Sequence, residues 1–165
     1  MKIFLLAAVL AGASAGALAR DHAYDIKPGL PASVAIDGAS EQRVRVRVGN
    51  AAPQGIARLN DEEVDYFETP DIDHDGYRDL VIGQSGGGGQ VHARLFLFRP
   101  RQGGFHEIAH PAPSTSPCHQ FINPVFDAGK AAFSTGCRYS ADRYGTEDYA
   151  LRPDGIEWPK KEDGK

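Results

Sequence analysis

From Arg43 to Val48 the chain alternates arginine and valine without a break, a period-two pattern that places three valines on one face of a β-strand and three arginines on the other. The arginine face is either an anion-binding patch or the solvated outer surface of an antiparallel sheet, and strict alternation favours the second. Farther on, 80–82, 91–98 and 105–108 read as strands, the last two joined by a hairpin connection with turn chemistry from Phe98 to Phe105. A tighter turn from Phe126 to Ala131 leads into a strand at 132–134. Residues 147–151 form the final strand, closed by Arg152, Pro153, Asp154 and Gly155. After residue 19, no stretch keeps helical periodicity for more than two turns. The expected fold is all-β: an antiparallel meander of short strands, built like a propeller blade or a small sandwich, in one domain spanning 20–158. Within it residues 20–29 read as a loose leader, and 159–165 as a charged, disordered tail.

Composition agrees. Of 165 residues, 19 are Gly and 11 are Pro, which disfavours a helical bundle. A formal net charge of -4 supplies no electrostatic case for a nucleic-acid partner. The N-terminus has Lys2, an apolar run to Leu10, and small residues up to Ala17, Leu18 and Ala19. This is the form of a signal peptide, residues 1–19, cut after an Ala-x-Ala site. The apolar run is too short to span a bilayer and no lipid-attachment cysteine follows, so a periplasmic or secreted protein without a membrane span is expected. In an oxidising compartment Cys118 and Cys137 either pair, closing a loop of about 20 residues, or stay as two buried thiols; export favours the pair.

The chemistry concentrates in Asp71-Ile72-Asp73-His74-Asp75-Gly76-Tyr77-Arg78-Asp79. Carboxylates at alternate positions around a glycine turn converge on one point, which suits a hard cation needing six to eight oxygens. Asp71, Asp73 and Asp75 are the first ligands, Tyr77 would offer its backbone carbonyl, and Asp79 would close the shell. A helix-loop-helix site would place Glu at the twelfth position, but Ile82 stands there. Pro70 before the loop and a strand after it exclude flanking helices. A solvated acidic turn is the alternative; four aspartates in nine residues repel one another without a cation, which favours Ca2+, and Mg2+ tolerates crowded carboxylates poorly. With no nucleophile or base beside it, the ion would be structural.

His106-Glu107-Ile108-Ala109-His110 matches the H-E-x-x-H zinc signature, which works only on a helix. Gly103 and Gly104 before it, and Pro111 and Pro113 after it, forbid one. Gly86 to Gly89 lack the lysine and helix start of a phosphate cradle. No catalytic residues are expected and the protein reads as a non-enzyme.

One succession of features is more specific than the acidic loop alone: Asp71 to Leu80 entering a strand, Ser85 to Gly89, Phe96-Leu97-Phe98-Arg99-Pro100, Phe105, Asn123 to Asp127, and Ser134 through Tyr144, Gly145 and Thr146. From Pro70 to about Leu151 the chain resembles calcium-binding periplasmic immunity proteins of Xanthomonas-type bacteria. These neutralise peptidoglycan hydrolases delivered by a type IV secretion system, and have relatives that inhibit invertebrate-type lysozyme. The acidic loop is also similar to those of FG-GAP and VCBS repeats. The resemblance implies inhibition of a lysozyme-like effector by loop insertion into its cleft. Candidate contacts are Ser85 and Gly86 in one loop, and Arg138, Tyr139, Arg143 and Tyr144 in the loop after Cys137. Packing against the sheet is the alternative role for the two tyrosines. The alternative function is an FG-GAP/VCBS-type calcium module that binds carbohydrate or a cell-surface partner.

Overall fold

Period-two patterning governs the first four strands, β1 (Arg20–Lys27), β2 (Leu30–Asp37), β3 (Glu41–Val48) and β4 (Gln54–Asn60), which form an antiparallel meander in chain order, sheet A. The computed structural model describes residues 20–38, 40–60, 63–111, 118–138, 144–152 and 155–157; the expected signal peptide and tail lie outside them, as do Tyr139 and Arg143. Val44 and Val46 are buried while Arg43, Arg45 and Arg47 are exposed, as the alternation requires. Arg45 pairs with Asp37, and Arg43 with Glu41 at 3.3 Å, which supports the solvated-surface reading.

Residues 20–29 are not a loose leader. They form β1 and a two-residue turn, Pro28-Gly29, in which Gly29 takes φ 80°, the left-handed value a type II turn needs at that place. Ile26 is 1% exposed, and His22 stacks on Phe67 with ring centroids 4.2 Å apart. The alternation was hidden because only one of the inward residues, Ile26, is a large aliphatic; His22 and Tyr24 fill the other inward places.

The second sheet runs in the order β12-β11-β10-β9-β7-β6-β5, with β8 also on β7. Its strands are β5 (Tyr66–Glu68), β6 (Leu80–Ser85), β7 (Val91–Arg99), β8 (Gly104–Glu107), β9 (Phe121–Phe126), β10 (Ala132–Arg138), β11 (Tyr144–Arg152) and β12 (Gly155–Glu157). One edge of β7 is divided: Phe96 to Arg99 pair with β8, His92 and Ala93 with β9. Alternate residues of β6 and β7 serve two cores. Leu80, Ile82, Phe96 and Phe98 join the valines of sheet A, while Val81, Leu95 and Leu97 pack with Phe121, Phe133 and Tyr149. The fold is therefore all-β and single-domain, with two antiparallel sheets, and among the described residues there is no helix and no closed barrel.

At the corner where the sheets meet, the Gln54 side chain imitates a strand. Its amide accepts from Phe105 N at 2.9 Å and donates to Phe105 O at 2.7 Å. Gly104 leaves room for this pairing, because a Cβ there would displace the Gln54 amide oxygen. In β9, the four residues from Ile122 to Val125 span three on β10, Ser134 to Gly136, and the extra one is taken up at Asn123, which sits at φ 47°. That bulge shifts the alternation and turns Val125 outward, 65% exposed.

Candidate functional site

The acidic loop lies between β5 and β6 and is folded by its own carboxylates. Gly76 at φ 84° and His74 at φ 58° reverse the chain. Asp71 Oδ2 accepts from Gly76 N at 3.1 Å, and Asp75 Oδ1 from Tyr77 N at 2.9 Å. Asp79 is fully buried; its Oδ2 accepts from Ile72 N and its Oδ1 from Phe98 N, both at 2.8 Å. Ile72, also 0% exposed, anchors the loop in the second core. The His74 Nε2 meets the Asp127 carbonyl oxygen at 2.9 Å, tying the loop to the β9-β10 turn. On the other side, Arg78 N donates to Ile26 O at 2.7 Å, so β1 is fastened to the same loop.

Three of the four predicted aspartate ligands converge. Asp71, Asp73 and Asp79 each offer a carboxylate oxygen within 4.8 Å of the others. Asp71 Oδ1 and Asp73 Oδ1 are buried and have no hydrogen-bond partner, an expensive arrangement for carboxylates. Asp75 lies outside this triplet, its Oδ1 held by Tyr77 N. The phenol of Tyr77 accepts from Lys27 Nζ at 3.0 Å, and its ring lies 5.5 Å from that of Phe98. Arg99 forms an ion pair with Asp73 and lies 3.9 Å from Asp75. Burial pushes the Asp79 carboxyl up to about 7, against the two N–H donors that pull it down and with Asp73 and Asp75 adding repulsion. Burial also raises Asp75. An all-oxygen donor set with two orphaned oxygens fits a hard cation such as Ca2+.

The glycine-rich segment is the tip of the β6-β7 hairpin. Ser85 and Gly87 to Gly89 are exposed, and Gly88 and Gly89 take φ 76° and 77°. Its base is clamped from three directions. Ser85 N donates to Asp65 Oδ1 at 2.7 Å, Gly86 N to Gln90 O at 2.6 Å, and Val91 N to Asn123 Oδ1 at 2.7 Å. Gly86 packs so closely that a Cβ would stand 2.9 Å from His92 Nε2.

Arg138 and Tyr144 are not loop residues. They face each other as the last pair of the β10-β11 ladder, because β10 continues four residues past the expected end at Ser134. Tyr144 is 61% exposed. Both candidate binding regions leave the fold at ends remote from the acidic loop: Ser85 ends the strand that Leu80 begins, and the Arg138-Tyr144 pair lies at the opposite end of its hairpin from the turn that His74 contacts. Cys118 and Cys137 are bonded, their Cα atoms 5.7 Å apart, so the chain just before β9 is fixed to the inner face of β10.

The H-E-x-x-H segment is not helical, as its flanking residues require: His106 and Glu107 end β8, and 108–110 follow without helix or strand. Glu107 takes Arg94 Nε and Nη2, each at 2.6 Å, and the His110 ring lies 4.8 Å from that of Phe121. Among the described residues neither histidine belongs to a group able to hold a metal. Sequence reasoning missed Arg99, Asp65 and the amide of Asn123, each brought in from a distant strand or loop. Only Asn123 gave a hint, since Asn tolerates the left-handed region and precedes Pro124. Compared with protein-family models, with curated proteins and with solved structures, the chain matches none.

Proposed function

We propose that the chain is an exported, non-enzymatic inhibitor of a lysozyme-like peptidoglycan hydrolase, an immunity protein stabilised by a structural Ca2+ held by Asp71, Asp73 and Asp79. The observation that carries this reading is the β6-β7 tip, an exposed run of nearly bare backbone on a base clamped by Asp65, Gln90 and Asn123. A glycosidase cleft holds two carboxylates with room between them for a sugar. A narrow tip with no side chains to order can enter that room and offer backbone N–H donors, which bond strongly to carboxylates. The exposed Tyr144 at the β10-β11 end is a second contact candidate. The test is turbidity of a peptidoglycan suspension treated with hydrolases secreted by the producing cell and its neighbours. The expected result is that the purified protein blocks at least one; failure against all of them overturns the proposal.

The FG-GAP/VCBS-type alternative draws on the same acidic loop. Calcium-dependent retention on a glycan column, without inhibition of any hydrolase, would favour it.

A further inference from the structure

The outer face of sheet A carries its charges in an ordered way. The strand register stacks Asp21, Ala35 and Arg45 in one row across the sheet, and Ala23, Ser33 and Arg47 in the next. Acid therefore lies on β1, small residues on β2 and base on β3. Among the described residues, Asp21, Asp25 and Arg47 are exposed and take part in no ion pair. The two aspartates stand two residues before and after Ala23, on the face it shares with them. Between them is a gap floored by a methyl group, in the row of Arg47.

We infer that this face is the interface between two copies of the chain, related by a two-fold axis that lies in the face along β2. Such an axis sets β3 of one copy over β1 of the other and keeps the rows aligned. Each Arg47 then enters the gap above the partner's Ala23, between the partner's Asp21 and the partner's Asp25. The contact is made twice, as an isologous interface requires. Ser33 and Ala35, at the axis, are small enough for the sheets to approach to about 10 Å, a distance an arginine spans. The three charges unpaired within one copy are those that meet between two. The axis overlays three strands of eight residues, a footprint of roughly 380 Å² per copy and about 760 Å² in total, short of the roughly 1,000 Å² of stable association and in the range of weak, transient contacts. The dimer is accordingly weak, concentration-dependent and sensitive to salt. The inference does not rest on the inhibitor reading, since this face contains neither the acidic loop nor the β6-β7 tip; a dimer would present two tips.

Sedimentation velocity of the purified protein, from micromolar to about 1 mM, tests it. Self-association is expected at low ionic strength and is expected to weaken at high salt. Arg47→Glu, or Asp21→Lys combined with Asp25→Lys, should each weaken it about tenfold or more, by setting like charges opposite one another. An equimolar mixture of those two proteins should recover a one-to-one dimer, because each then presents the charge the other lacks. Unchanged melting temperatures of the variants check that they fold, and Arg47→Gln provides a milder version. A protein monomeric at every concentration, association that persists in both variants, or a mixture that stays monomeric would overturn the inference.

Discussion

The two ends of β6 solve opposite problems. At Leu80 the strand receives a loop that turns Ile72 and Asp79 inward, where Asp79 is fully buried and satisfies two N–H groups from separate elements. At Ser85 it leaves into glycines that have almost no side chains and point outward. One end carries its information in side-chain atoms and the other in backbone shape. The same substitution should therefore have opposite consequences at the two ends, for stability at the first and for binding at the second.

The largest effect is expected at the acidic end. Asp79→Ala leaves Ile72 N and Phe98 N buried without an acceptor, and should cost about 3 kcal/mol in urea unfolding. A loss under about 1 kcal/mol would mean that water replaces the carboxylate and that the loop is less enclosed than described. Next comes the cation. Saturating Ca2+, at about a hundred times its dissociation constant, should stabilise the protein by about 2.7 kcal/mol relative to chelator, and Asp73→Ala should abolish that difference. Identical melting with calcium and with chelator would remove the metal from the proposal.

A pH series tests the proposed cation in a second way. Burial raises the Asp79 carboxyl to about 7, from the 3.8 of a solvated aspartate. A raised value means that the folded state binds the proton more tightly than the unfolded chain does. Its contribution is complete below about 4 and is lost as the pH rises through about 7. The metal-free protein should therefore melt at falling temperatures across that interval. Calcium favours the ionised carboxylate and should flatten the slope. The smallest stability effect belongs to the tip. Gly87→Ala, in open space and without a positive φ, should change stability by less than about 0.5 kcal/mol, and Gly88→Ala, at φ 76°, should cost about 1 kcal/mol. If the tip enters a hydrolase, a bulky Gly87→Trp should weaken inhibition at least about tenfold while leaving melting unchanged.

Much of this contrast was legible in the sequence. The turn at Gly76 among alternate aspartates, the strand in the valine-arginine run and the absence of a helix at the histidine pair each follow from local sterics and patterning. What stayed hidden depended on partners distant along the chain. Arg99 reaches Asp73 because the β6-β7 hairpin folds back, and nothing near Arg99 announces this. β1 was misread because His22 and Tyr24 face inward without being aliphatic, although Pro28-Gly29 marked its turn. The placement of Arg138 and Tyr144 failed at a strand end, where small and polar residues continue the ladder through Gly136 and Cys137 without a hydrophobic signal.

The divided edge of β7 bears on how the chain reaches this state. A strand that must receive β8 along one half and β9 along the other imposes an order of events. The β6-β7-β8 hairpins close locally over short loops, whereas β9 finds its place only when the edge beside His92 and Ala93 already exists. Closing such non-local pairs is slow because the loop entropy is lost before the contact is gained. The rate-limiting step should therefore be docking of the β9-β10-β11 unit onto a preformed core. A refolding experiment would see the side chains of Val81, Leu95 and Leu97 buried last, although the strands that carry them pair early.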